Sequence, residues 1–152
     1  RCVRLPTVVV RPGKPNKAAS TFASSIIREP LQGDPAILPV GEDAAMYVAS
    51  PRSIVENLLI AADLPAAAWG TDRSLMLPGL TVSVAEMLAT LEAVGGAEAR
   101  ARVRQERDPA VEKIVAGWPS VFEIDRARRM GFQADESYRA IVEAFMEDDM
   151  VK

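Results

Sequence analysis

The chain has 152 residues, 49% hydrophobic and 26% charged, with a formal net charge of −3; one buried core fits that length, and the mild acidity offers no basic face for a nucleic acid. It has no histidine and a single cysteine, Cys2, which excludes Ser-His-Asp and Cys-His nucleophiles, His- or Cys-built zinc sites and an internal disulfide within these residues. No apolar run approaches the roughly 18 residues of a membrane span, and a reducing cytoplasm is the expected compartment.

A continuous β-branched run from Val8 to Arg11 predicts a strand buried on both faces, as in a parallel sheet. It breaks off in Pro12-Gly13-Lys14-Pro15-Asn16. Such a strand needs neighbours on both edges, yet little chain precedes it, so the expectation is a C-terminal portion of a longer protein. A helix follows from Lys17 to Glu29, with Phe22, Ile26 and Ile27 inward and Pro30 as its stop. Ala36–Val40 and Ala45–Ala49 read as strands that the Gly41-Glu42-Asp43 turn joins into a hairpin. Ser50 caps the next helix, with Pro51 at its first position and Ile54, Val55, Leu58, Leu59 and Ala62 as its apolar stripe. Asp63 to Thr71 reads as loop, Ser74–Leu77 as strand and Pro78-Gly79 as turn.

Ser83 and Glu86 fit a capping box, with Val82 and Met87 as its hydrophobic staple, and Gly95-Gly96 ends that helix. Arg100-Ala101-Arg102-Val103-Arg104 is a basic cluster diluted by small and apolar residues, an exposed face. Between Ala97 and Asp108, Arg102, Arg104 and Glu106 alternate with Val103 and Gln105, which suits an edge strand. Asp108-Pro109 opens a short helix through Val115, Asp125 caps one that ends at Gly131, and the last runs from Asp135 to Asp149 with Tyr138, Ile141, Val142 and Phe145 buried. Strands and helices alternate, mixing α/β and α+β character.

Pro12-Gly13 is the first candidate site. Glycine lets a backbone approach a ligand and proline fixes the turn, although any strand-to-helix connection needs such breakers. Arg52, in the first turn of a helix, opposes the dipole and is either a surface arginine or one with a buried partner or an anionic ligand. Glu42-Asp43 reads as a solvated turn rather than an acid/base pair, and Trp69 and Trp118 as plugs under loops.

The order of these pieces resembles the C-terminal half of the extended short-chain dehydrogenase/reductases, the NAD-dependent epimerase/dehydratase family. The opening strand with Arg11-Pro12-Gly13-Lys14-Pro15-Asn16 resembles that family's sixth sheet strand and the loop beside the nicotinamide. Met46-Tyr47-Val48-Ala49-Ser50-Pro51-Arg52 resembles the strand and helix that return to the dinucleotide domain. Leu80-Thr81-Val82-Ser83-Val84-Ala85-Glu86, and Asp125-Arg126-Ala127-Arg128-Arg129-Met130-Gly131-Phe132, resemble its later signatures. The string from Arg4 through Asn16, with Ser20, Phe22, Ser24 and Ile27-Arg28-Glu29-Pro30-Leu31, is most similar to a subfamily that oxidises the C2 hydroxyl of a small sugar acid, such as D-erythronate, with NAD.

The resemblance implies one or two strands of a Rossmann sheet plus a small helical substrate-binding domain. Arg11, Pro12 and Gly13 would flank the cofactor. Lys14, Asn16, Ser20, Ser24 and Arg28 would form the substrate wall. Hydroxyls and an amide suit a polyhydroxylated ligand and a cation suits its carboxylate, though Asn16 and Ser20 also suit a helix start and Arg28 a pairing with Glu29. The implied partners are the dinucleotide domain, the sugar acid and further copies of the chain, with no nucleic acid or membrane. The family's phosphate-binding glycines and catalytic Tyr-x-x-x-Lys do not occur here: Tyr47 and Tyr138 are followed four residues on by Pro51 and Val142, and none of the nine glycines makes G-x-G-x-x-G. These residues alone are therefore expected neither to bind NAD tightly nor to transfer hydride. Nucleotide-sugar epimerisation or dehydration, and a binding or assembly module without chemistry, remain the alternative readings.

Overall fold

The structure, a computed structural model, describes residues 1–14, 16 and 18–150. The N-terminal segment holds two short strands, β1 (Cys2–Arg4) and β2 (Thr7–Val8), separated by Leu5-Pro6. A single 3₁₀ turn, Ala19–Thr21, leads into α1 (Phe22–Leu31), followed by β3 (Ala36–Leu38), β4 (Ala45–Ala49) and α2 (Pro51–Asp63). Then come α3 (Ala66–Trp69), β5 (Ser74–Met76), β6 (Leu80–Ser83), α4 (Val84–Ala101) and β7 (Val103–Gln105). Three helices close the chain: α5 (Pro109–Ala116), α6 (Asp125–Arg129) and α7 (Tyr138–Asp148).

The architecture is mixed α/β, with three small sheets among the described residues. β2 pairs in parallel with β4, which also pairs antiparallel with β6; β1 pairs in parallel with β5, and β3 with β7. The expected hairpin between Ala36–Val40 and Ala45–Ala49 is therefore corrected. β4, buried over its last four residues, takes the centre of its sheet, where two neighbours satisfy its backbone. β3 is sent to the distant β7.

The opening strand is shorter than expected. Its ladder runs to Val9, whose N–H donates to Ala49 O at 3.0 Å, and Val10 then turns at φ 52°. Val9 and Val10 are fully buried in the larger core cluster together with Phe22, Ile26, Val48 and Leu91. Their burial is complete within this chain, while among the described residues β2 has one strand neighbour rather than the two expected.

Helix ends account for the other corrections. The expected start of α1 at Lys17 lies outside the described residues, as does Pro15 of the loop. Pro30 does not stop α1: in the last turn its lost N–H costs one bond, and Gly33 at φ 94° closes the helix instead. Gly96 takes the left-handed conformation expected of it, at φ 79°, but a second helical segment continues to Ala101 before β7. The Asp63–Thr71 loop contains α3. Ile124, not Asp125, occupies the N-cap of α6, and α7, expected from Asp135, starts at Tyr138 with Ser137 as its cap. The caps at Ser50, Ser83 and Asp108 form as read, each side chain accepting from a first-turn backbone N–H.

The expected stripe of α2 is corrected too. Ile54 and Ala61 point into the smaller core with Trp69, Leu75, Leu77 and Phe132, but Val55, Leu58 and Leu59 face outward.

Candidate functional site

The site is built where β2 ends. Val10 is a β-branched residue in the left-handed region, a conformation costly for such a side chain. It throws Arg11, Pro12, Gly13 and Lys14 onto the surface, all four exposed. Gly13 sits at φ 105°, and a Cβ placed there meets no atom within 4 Å, so open space lies over this part of the backbone.

The loop is held from behind. Arg28, 4% exposed, donates from Nη1 to Arg11 O at 2.7 Å, and its Nη2 meets Glu29 Oε1 at 2.5 Å. Arg28 Nε and Glu29 Oε2 are buried without a partner. On the far side, Asn16 Oδ1 accepts from Ala18 N at 2.9 Å and from Thr21 Oγ1 at 2.5 Å. Asn16 thereby organises the 3₁₀ turn that leads into α1.

Beneath this turn is a cleft of about 280 Å³, lined by Ser20, Thr7, Tyr47, Met76, Trp118 and Phe122 among others. The Tyr47 hydroxyl donates to Leu77 O at 3.2 Å, and its ring lies 4.7 Å from that of Phe122. Burial raises the Tyr47 pKa above its ordinary value, with a bond at Gly79 and the Arg128 charge acting against it. At pH 7 the phenol is therefore neutral, an oriented aromatic wall. Thr81 Oγ1 donates to Ser120 O at 2.5 Å and fixes the segment carrying Trp118 and Phe122.

Of the residues singled out from sequence, the structure brings Arg11 and Arg28 into contact and places Ser20 on the cleft. Ser24 is buried in α1, on the same helix as Arg28. The cleft's aromatic side was not recognised. Its signal was rarity: in a chain only 5% aromatic, Tyr47, Trp118 and Phe122 gather at one place. Trp69, by contrast, is a core plug, 1% exposed. Arg52 bonds Asp148 and Glu147 on α7 at 2.8 and 3.0 Å, and Glu42 accepts from Arg100. Among the described residues no three His, Cys, Asp or Glu side chains are grouped to hold a metal ion, and no helix is long and apolar enough to cross a membrane.

Solved structures of the same shape define the class. A nucleoside-diphosphate-sugar epimerase from Agrobacterium tumefaciens superposes with a TM-score of 0.93 at 43% identity, over 97% of this chain and 43% of that one. A GalE-like L-threonine dehydrogenase from Cupriavidus necator superposes at 0.84 with 20% identity, over 97% of this chain and 47% of that one, a likeness of fold alone. The fold is that of part of an epimerase/dehydrogenase, and it bears out the family resemblance.

More particularly, the chain is a homologue of D-erythronate dehydrogenases. The Haemophilus influenzae protein of that name is 41% identical over 148 residues, 97% of this chain and 47% of its own length. The Cupriavidus necator one is 45% identical, over 97% of this chain and 46% of its own length. The chain thus spans about half the length of the curated relatives it matches. No family model matches it.

Proposed function

We propose that the chain is the substrate-binding part of an NAD-dependent dehydrogenase that oxidises the C2 hydroxyl of a small sugar acid such as D-erythronate. The observation that carries this reading is identity of 41–45% across 97% of the chain to two proteins named D-erythronate dehydrogenase. The site supports it. The exposed backbone of Arg11, Pro12 and Gly13 fits the flat flank of a nicotinamide, because nothing overhangs Gly13. Among the described residues no glycine-rich turn is present to cradle a pyrophosphate, so the rest of the cofactor falls to the complementary part of the protein. NAD, when bound, supplies the acceptor for the C2 hydride.

The chain's own residues then bind and orient. Lys14 and Asn16 flank the loop, where a cation and an amide suit a carboxylate and hydroxyls. Ser20 presents a hydroxyl to the cleft, and Tyr47, Trp118 and Phe122 limit its size. Arg28 acts from behind, holding the Arg11 carbonyl, with Ser24 beside it in α1. The hydroxyl proton leaves to a base outside these residues: neither Tyr47 nor Tyr138 is followed four residues on by a lysine, and burial holds the Tyr47 phenol protonated.

A second reading is favoured by the Agrobacterium structure, whose name is that of a nucleoside-diphosphate-sugar epimerase at 43% identity. The test separates the two. The chain is grafted in place of the matched half of the Cupriavidus necator relative, and the chimera is assayed with NAD. D-erythronate turnover is expected, with Ser20→Ala raising its KM by about tenfold, the worth of one lost hydrogen bond, and leaving the KM for NAD unmoved. Turnover of a nucleoside-diphosphate sugar in its place would install the second reading.

A further inference from the structure

Two cavities share one tryptophan. The cleft of about 280 Å³ beneath the 3₁₀ turn carries Ser20 and Thr7 on its walls. A second chamber, of about 350 Å³, lies against α5 and the segment between β3 and β4, with Asp43, Arg107, Glu112 and Ala116 around it. Trp118 lines both. The residues after it divide between them: Pro119 and Phe122 line the cleft, and Ser120 lines the chamber. The stretch that follows α5 is therefore the wall between the two, and Trp118 is its largest side chain.

That wall is anchored from several sides. The Trp118 N–H donates to Val115 O at 3.0 Å, and its side chain packs against the larger core. Pro119 fixes its own φ and restricts the residue before it. Thr81 Oγ1 holds Ser120 O, and the Phe122 ring lies against Tyr47, whose hydroxyl is bonded to Leu77 O. A side chain carried on so constrained a backbone is a partition rather than a swinging lid.

The chamber behind it is polar enough to take a hydroxylated chain. Arg107 and Glu112 form an ion pair at its wall, and Asp43 and Ser120 add further acceptors. A guanidinium donates, carboxylates accept and a hydroxyl does both, which suits the tail of a sugar acid. Space is the other half of the argument. A cleft of about 280 Å³ lies at the lower end of small-molecule sites, roughly 300–1,000 Å³. Opening it into the chamber would more than double it.

We propose that Trp118 is a specificity-determining residue that sets the length of the acid. It closes the cleft behind a four-carbon chain and denies the tail of a longer acid the chamber beyond. This rests on the reading of the cleft as the sugar-acid site.

The chimera described above is assayed with NAD and three acids that share one configuration at C2 and C3: D-erythronate, D-ribonate and D-allonate, of four, five and six carbons. D-erythronate should be preferred. Trp118→Ala should raise the kcat/KM ratio of D-ribonate to D-erythronate by about a hundredfold, the order of discrimination a pocket wall achieves over one carbon. D-allonate should gain in the same direction. Trp118→Leu, which keeps more apolar volume against the core, should move the ratio the same way by less, and it stands in if the alanine variant does not fold. Ala116→Phe fills the chamber from the end of α5. By itself it should leave the KM for D-erythronate unchanged, and joined to Trp118→Ala it should take back the gain on D-ribonate. A ratio unmoved by both Trp118 variants overturns the proposal. So does a raised KM for D-erythronate in Ala116→Phe alone, because the substrate then already reaches the chamber. If the chimera turns over none of the three acids, the substrate reading fails and this proposal fails with it. If it turns over D-erythronate but is indifferent to Trp118, the substrate reading stands and this proposal alone fails.

Discussion

Arg28 shows how one buried charge can organise a surface loop. Its side chain is 5% exposed and that of Glu29 12%, so neither charge is well solvated. Removing one partner of such a pair leaves the other uncompensated and costs about 3–5 kcal/mol. Arg28→Met keeps the aliphatic volume but strands the Glu29 carboxylate and frees the Arg11 carbonyl. It should lower unfolding free energy in urea by that amount. Replacing both, Arg28→Met/Glu29→Met, removes the stranded charge and should recover most of the loss. A double variant no better than the single one would show that the loop contact, not the ion pair, dominates. The sequence made Arg28 a candidate because a cation near a strand-to-helix loop suits an anionic ligand. Its contact with Arg11 O was hidden, because that carbonyl is aimed by the positive φ of Val10, and a β-branched residue gives no local sign of such a conformation.

Between elements, a polar staple joins α2 to the segment before α7. Ser50, 1% exposed, donates from N and Oγ to the two carboxylate oxygens of Asp135 at 2.9 and 2.6 Å. About two turns on, Asn57 donates to Gln133 O at 2.7 Å and accepts from Gln133 N at 3.0 Å. Hydrogen bonds to a charged acceptor contribute about 1.5–3 kcal/mol each. Asp135→Ala orphans both Ser50 donors and should destabilise by about 2–4 kcal/mol, while Asp135→Asn, which keeps one acceptor, should cost about half as much. A loss below about 0.5 kcal/mol for the alanine variant, the range of ordinary surface changes, would mean that water replaces the carboxylate. In sequence Asp135 marked only the start of the last helix; its bonds to Ser50, 85 residues away in the chain, leave no local sign. The local signals were legible: Ser50, Ser83 and Asp108 cap as read, and Gly96 turns as read. Strand pairing was not. Strands of two to five residues carry too little pattern to fix a partner, and β3 pairs with β7 across about sixty-five residues of chain, a separation that no local pattern encodes.

For the molecule as a whole, the missing histidine and the two buried tyrosines set the response to pH. No side chain here has an ordinary pKa between about 5 and 8, so stability should hold level across that range. On the acid side, the Arg52 hydrogen bond holds Asp148 below its ordinary value. That contribution is present above the unfolded carboxylate pKa of about 4 and is lost as pH falls through the lower folded value. It is small, because the pair is exposed. The alkaline side is steeper. Burial pushes the Tyr138 phenol far above its ordinary value, with Glu86 adding to the shift, and burial raises Tyr47 as well. Below about pH 10 both tyrosines are protonated whether the chain is folded or not. Above it the unfolded chain gives up protons that the folded chain retains, so unfolding free energy falls by up to about 1.4 kcal/mol per pH unit for each tyrosine. Since both tyrosines are buried, phenolate absorbance at 295 nm should appear together with the loss of circular dichroism, in one cooperative step. Tyr138→Phe should move that step to higher pH and, because the Tyr138 hydroxyl has no hydrogen-bond partner, leave the neutral-pH stability equal or raised by about 1 kcal/mol. Phenolate absorbance rising gradually near pH 10 while the dichroism stays native would place at least one tyrosine in contact with solvent, contrary to their burial.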